Sequence, residues 1–293
     1  MQKPNRKLLI FSKKTWVIFG IFLSFATLAF ARGECTQIYG DGAVTIRLAT
    51  GSPGELGLIE VLAEAFSKTH DTRLCWNKAG SGASLKLLKG KAVDFIMVHA
   101  PAAEKQAVAE GWAIKRHLIG SNEFYIVGPE NDPAAISSAT SAADAYARIA
   151  RAKAPFFSRG DNSGTHKKEL AIWSRAAIEP SGDWYLTTHT FMMATLKMAD
   201  EKQGYFMIDS STWVAARKKL KNLKVLFRGD PFLINTYHTL CQPAGATPGQ
   251  ASAAAFIDFV VSEQGQKIIR EYGAALYGEG LYNDAEYARQ YDH

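Results

Sequence analysis

Three stretches of the 293-residue chain set glycine beside small hydroxyls where a strand-like run gives way to a helix-like one. They are Thr50-Gly51-Ser52-Pro53-Gly54, Gly80-Ser81-Gly82-Ala83-Ser84, and Ser158 to Thr165. Each would aim backbone N–H groups and hydroxyls out of a helix N-terminus, where the aligned peptide dipoles favour negative charge. Glycine at such a place lets a ligand approach the backbone closely. The third stretch, with His166, reads SRGDNSGTH and adds Arg159, whose planar fork suits two oxygens of an anion. One such turn is ordinary helix capping; three in one chain, one with an arginine, point to a cleft that holds an anion.

Other chemistries find less support. No Gly-x-Ser-x-Gly elbow is present, because Ala79 precedes Gly80-Ser81, and no phosphate-loop pattern occurs. The seven histidines show no metal-ligand spacing, so no metal site, cofactor or catalytic residue is expected. A serine hydrolase built on Ser163 and His166 would lack a third group to orient the histidine. His166 is instead expected to pack with Leu170 and Trp173 along its helix. The Arg159-Gly160-Asp161 tripeptide sits at a strand end rather than on a long exposed loop.

The elements that must position these turns alternate. Strand-like runs at 44–49, 72–77, 93–98 and 124–127 are separated by helical patterns at 57–69, 83–89 and 102–110. The run VDFIMV is continuously apolar, as in a buried parallel strand. Turn signals at Gly128-Pro129-Glu130-Asn131-Asp132-Pro133 open a second α/β unit. Its helices are expected at 141–152, 165–177 and 191–200, and its strands at 155–158, 205–208 and 224–227. A further break at Gly229-Asp230-Pro231 precedes a strand at 234–240 and helices at 252–261 and 263–272. The fold class is therefore α/β: two lobes, each a mostly parallel sheet flanked by helices, with a cleft between them. Lobe 1 takes residues 32–129 and 232–293, and lobe 2 takes residues 130–231.

The first 31 residues read as a cleavable signal peptide. Lys3, Arg6, Lys7, Lys13 and Lys14 precede an apolar run from Trp16 to Leu28, and Ala29-Phe30-Ala31 supplies a small-x-small cleavage site. Secretion leaves 262 residues, 32 to 293. Five of the 34 basic residues depart with the leader, leaving 29 against 28 acidic ones. Nucleic-acid binding thereby loses its compositional support. Of Cys35, Cys75 and Cys241, one pair can bridge in an oxidising compartment, and the pairing is left open.

PFFSRGDNSGTHKKELAIW (Pro155 to Trp173) resembles the signature segment of the periplasmic tungstate-binding proteins, the solute receptors of tungstate ABC importers. DFIMVHAPAAEKQAVAEGW (94–112), NEFYIVGPENDPAAI (122–136) and FIDFVVSEQGQKII (256–269) follow that family's pattern in order. The resemblance implies a monomeric periplasmic receptor that closes on tungstate, or secondly molybdate, and delivers it to a permease and an ATPase. It implies ligand contacts from Thr50, Ser52, Ser81, Ser163 and Thr165, from backbone N–H groups such as that of Gly164, and from Arg159. Asp161 would pair with Arg159 or cap the helix at residue 163.

The chain also departs from the family. The first loop, ATGSPGELGL, has Gly51 and Pro53 where hydroxyls are expected. TTHTFMMATL (187–196) replaces a glycine-rich turn and places Thr190, Phe191 and Met192 at a fourth helix start, with Thr190 a further candidate contact. Ser210 stands where the family has arginine after Asp209. These changes imply a reshaped cleft and keep a small organic anion open as the alternative ligand.

Overall fold

The computed structural model describes residues 34–292; the expected signal peptide lies outside the described residues. Among the described residues eleven strands carry the framework: β1 (Gln37–Tyr39), β2 (Val44–Thr50), β3 (Thr72–Lys78), β4 (Phe95–Val98), β5 (Ile114–Pro129), β6 (Phe156–Ser158), β7 (Tyr185–Thr187), β8 (Tyr205–Asp209), β9 (Leu223–Phe227), β10 (Ile234–Cys241) and the short β11 (Asn283–Asp284), which pairs with β5. Between them run the helices α1 (Ser52–Glu55), α2 (Leu58–Ser67), α3 (Ser81–Lys89), α4 (Pro101–Ala109), α5 (Ala142–Ala152), α6 (Gly164–Arg175), α7 (Met192–Glu201) and α8 (Ser210–Ala216), with α9 (Gln250–Val261) and α10 (Glu263–Glu271) after β10. Most follow the apolar periodicities of the sequence. On α2, Leu58, Leu62 and Phe66 turn inward together, and α5 starts where Ser141 accepts the Asp144 N–H.

The strands join in the order β1-β3-β2-β4-β10-β5-β8-β6-β7, with β9 also pairing β5. Strands that feed helices run parallel: β2 beside β3 and β4, and β6 beside β7 and β8. β5 and β10 run antiparallel to their neighbours, so the sheet is mixed rather than uniformly parallel. β5 is the hub. Its first part pairs with β10 up to Glu123↔Ile234, and from Phe124↔Asp209 onward it pairs with β8. The sequence pattern shows only the apolar tail of this strand. Lys115, Arg116 and His117 near its start, and Gly120-Ser121-Asn122 in its middle, break the apolar alternation.

The hydrophobic interior divides along the same line. One cluster draws on residues between Phe124 and Leu233. Two others draw on residues 46–119 and 237–282, with Val214 reaching across to join one of them. In the first, the rings of Tyr146, Phe156 and Trp173 pack edge-on or tilted with centroids 4.3 to 5.2 Å apart. A fully buried side chain of this size contributes roughly 1.5–3 kcal/mol. Trp173 on α6 thus anchors the body of that helix and fixes where its N-terminus points. At the edge of the sheet, Cys35 is bridged to Cys75 of β3, and Cys241 is free and buried. The pairing left open by the sequence is thus Cys35 with Cys75.

Candidate functional site

The three hydroxyl-rich turns meet. A cavity of about 20 Å³ lies among them, bounded by Gly51, Ser52, Pro53, Gly80, Ser81, Arg159 and Ser163. The first five come from turns on the β2–β4 side of the molecule, and the last two from the turn after β6. The contact across it is tight. A Cβ added at Gly80 would sit 3.1 Å from the Ser163 Cβ, and one at Gly82 would sit 2.8 Å from the Asn162 carbonyl oxygen. Glycine at both places lets the N-terminus of α3 press against the loop that starts α6.

That loop is built for aim. Gly160 takes φ +61°, and Asn162 takes φ +56°, which asparagine tolerates better than most residues. The chain thereby turns back so that Asp161 reaches both of its neighbours. Its Oδ2 accepts from Arg159 Nη2 at 2.5 Å and its Oδ1 accepts the Ser163 N–H at 3.1 Å. Both duties foreseen for this residue are met at once. Burial alone would raise the Asp161 pKa, but the Arg159 charge and the Ser163 bonds outweigh it and hold it below the usual carboxylate range. Arg159 is 5% exposed, and its Nε is buried with no partner. An arginine donor left unpaired inside a protein is costly unless something polar meets it.

The remaining candidates divide by position. Ser81 lines the cavity, and its Oγ accepts the His99 N–H at 3.2 Å, which leaves its hydroxyl proton to donate. Ser163 caps α6 by accepting the His166 N–H at 3.3 Å. Gly164 and Thr165 are buried in the first turn of that helix. The Thr50 hydroxyl turns the other way and donates to the Met97 carbonyl at 2.8 Å. Thr190 donates to Thr188 Oγ1 at 3.2 Å and shares a bond with Thr195 at 3.0 Å. Of the residues at the fourth helix start, Phe191 borders the cavity while Met192 lies in the core. Ser210, in the place of the family's arginine, accepts the Glu123 N–H at 3.2 Å.

His166 does not pack inward as its spacing implies. Its Nδ1 accepts the Asn162 N–H at 3.0 Å, and Leu170 beside it is exposed. The Ser163 hydroxyl meets the backbone N–H of His166 rather than its ring.

Four cavity residues were not among the candidates: Glu55, Met97, His99 and Tyr237. Glu55 is paired with Lys78 at 2.5 Å, and the Lys78 ammonium lies 4.3 Å from the centre of the Phe191 ring. Arg159 stands on the same ring at 5.4 Å. Burial holds the Tyr237 phenol neutral. Burial first, then the Arg159 charge, lowers the His99 pKa to about 3. The one sequence signal for His99 is its place directly after the apolar strand VDFIMV and before a proline-started helix, the end of a strand where ligands of such sheets collect.

Residues 36–264 match the model of the PBP superfamily domain. A tungstate-binding protein, TupA, of Peptoclostridium acidaminophilum is 34% identical over 256 residues, 85% of this chain and 88% of that protein. The crystal structure of the tungstate ABC transporter from Geobacter sulfurreducens superposes with TM-score 0.71 at 35% identity, over 79% of this chain and all of that one. The tungstate-binding protein TupA from Desulfovibrio alaskensis G20 gives TM-score 0.68 at 34% identity, over 83% and 99%. By sequence and by two-lobed fold alike, the chain belongs to the periplasmic tungstate-binding proteins of the PBP superfamily.

Proposed function

We propose that this protein is the extracytoplasmic solute receptor of an ABC importer and that it takes a tetrahedral oxyanion, tungstate first and molybdate second. The observation that carries this reading is the unpartnered, buried Arg159 Nε beside a cavity that Ser52, Ser81 and Ser163 also line. A tetrahedral dianion offers acceptor oxygens in four directions and suits donors brought in by separate turns. The carboxylates nearby are already engaged, Glu55 by Lys78 and Asp161 by Arg159, so their charge is offset where the anion would sit. The contacts of Ser52, Ser81, Arg159, Ser163, Gly164 and Thr165 with the ligand belong to this proposal, as do a permease, an ATPase and a periplasmic location.

Two lobes are supported by the separate hydrophobic cores, but Phe124, Ile126, Val127 and Leu233 pack with the core of residues 130–231, which favours boundaries a few residues outside 129/130 and 231/232. Opening about β5 and β10 would admit the ligand, and closure would present the loaded form to the permease. Isothermal titration with tungstate, molybdate, sulfate and phosphate tests the reading. Tungstate is expected to bind most tightly. Silence from all four anions would overturn the oxyanion assignment. A small organic anion is a second reading, favoured by Phe191 and by a groove of about 780 Å³ that shares Glu55 and Phe191 with the cavity. Carboxylates that bind where tungstate does not would establish it.

A further inference from the structure

We propose that His99 is a direct ligand of the bound oxyanion: its neutral ring donates Nδ1–H to an anion oxygen and selects fully deprotonated anions over protonated ones. This rests on the oxyanion reading above and names the residue that discriminates within that class. His99 borders the cavity, and its Nδ1 is buried without a hydrogen-bond partner. The ring is held in place from several sides. It packs on Tyr237 with centroids 5.0 Å apart, and the Gly164 backbone lies so close that an added Cβ would come within 2.3 Å of His99 Cε1. The His99 N–H is itself tied to Ser81 Oγ, so two cavity residues are fixed to one another.

The ring also meets the amide of Asn235, and that amide is oriented from a distance. Asn122 gives its Nδ2 to Asp209 at 3.3 Å and to Ser211 Oγ at 2.8 Å, and so must offer its Oδ1 to Asn235 Nδ2, 2.8 Å away. The buried Asp209 carboxylate thus orients Asn122 and, through it, Asn235, whose second Nδ2 hydrogen must go to His99 Nε2 for the ring to carry its proton on Nδ1. The charged groups acting on the ring are Arg159 and Lys168, which disfavour imidazolium, and Asp161, which favours it; burial outweighs them all. A neutral ring carries one N–H, and the proposal places it on Nδ1.

Discrimination follows from hydrogen-bond balance. A fully deprotonated anion brings only acceptors, and Arg159 Nε, the Ser81 hydroxyl and His99 Nδ1–H are all donors. Hydrogen phosphate brings an O–H that must either oppose one of these donors or turn to the Glu55 or Asp161 carboxylate, each of which already accepts from a cation. A buried hydroxyl without an acceptor, set against an N–H, is rejected strongly.

The test uses the mature protein. Histidine-selective 15N NMR of the wild type is expected to show one ring that keeps a protonated Nδ1 from pH 8 to pH 5 and shifts on saturation with sodium tungstate. In titrations, His99→Phe, which keeps the ring packing, should lose ten-fold or more in tungstate affinity and narrow the tungstate-to-phosphate ratio. His99→Gln, which restores an N–H, should recover part of the loss. Tungstate binding that leaves every imidazole unshifted, or an unprotonated Nδ1 in that ring, overturns the proposal and leaves the receptor reading standing. So does wild-type affinity in His99→Phe. If neither substituted protein folds, the wild-type spectra decide alone. A wild type that binds no oxyanion sinks the receptor reading and this inference with it.

Discussion

Replacing Arg159 by alanine separates its two duties, one toward Asp161 and one toward the ligand. Nη2 is committed to Asp161 at 2.5 Å, while Nε is buried and unpartnered. Loss of one charge-assisted bond to a buried anion costs roughly 1.5–3 kcal/mol, so tungstate affinity should fall about 10- to 150-fold. Asp161 would then face the cavity without its cation. Adding Asp161→Asn to the Arg159→Ala protein should therefore restore part of the affinity, with a coupling of about 0.5–3 kcal/mol between the two sites. Arg159→Lys keeps the charge but loses the planar fork and should fall between wild type and alanine. Isothermal titration of all four proteins, with melting curves to confirm the fold, reads the cycle. Wild-type affinity in a folded Arg159→Ala protein would show that the guanidinium serves only its ion pair with Asp161, and the account of the site would fail.

Gly164→Ala should weaken tungstate binding more than it weakens the fold. Its Cβ would strike the His99 ring at 2.3 Å, a clash of roughly 1–3 kcal/mol that opening the lobes relieves; equal affinity in titration would contradict this. Glu169 on α6 accepts from the Tyr185 hydroxyl at 2.6 Å, and burial raises its pKa to about 7. The folded state then holds a proton that the unfolded state has released, so stability should fall as pH rises from about 4.5 to 7, by about 3 kcal/mol at most. Glu169→Gln should abolish that slope in denaturation measured at pH 5 and pH 8, and an unchanged slope would assign it elsewhere. The Cys35–Cys75 bridge closes a 40-residue separation. Its loss in a Cys35→Ser, Cys75→Ser protein should cost about 4 kcal/mol in denaturant unfolding without changing tungstate affinity, because it lies at the sheet edge.

Much of this was legible in sequence because local chemistry and global fold agree. The turns at 50–54, 80–84 and 158–165 announce themselves by glycine and hydroxyls, and the apolar periods locate most helices. What stayed hidden depends on partners distant in the chain. Thr50 and Ser52 look alike in sequence, yet Thr50 sits at the last ladder position of β2, where its hydroxyl finds the Met97 carbonyl. The long β5 escaped because its role as the strand shared by two sets of partners lets charged and small residues occupy it. Strand β7 and helix α8 are short and held mainly by neighbours. His99 gave no signal beyond its place after a strand, since the groups that orient it, Asn235, Asn122 and Asp209, come from three other elements. His166 failed for a simpler reason: a free backbone N–H at Asn162 competes with Trp173 for the ring, and the N–H wins.

The central claim is that a tetrahedral oxyanion sits where the three turns converge. Anomalous diffraction at a tungsten edge, from crystals of the mature protein grown with sodium tungstate, tests it most directly. The account predicts a single strong peak between Ser81 and Ser163, with anion oxygens within hydrogen-bond distance of Arg159 Nε. Tungsten found only elsewhere on the protein, with this cavity free of it, would contradict the account.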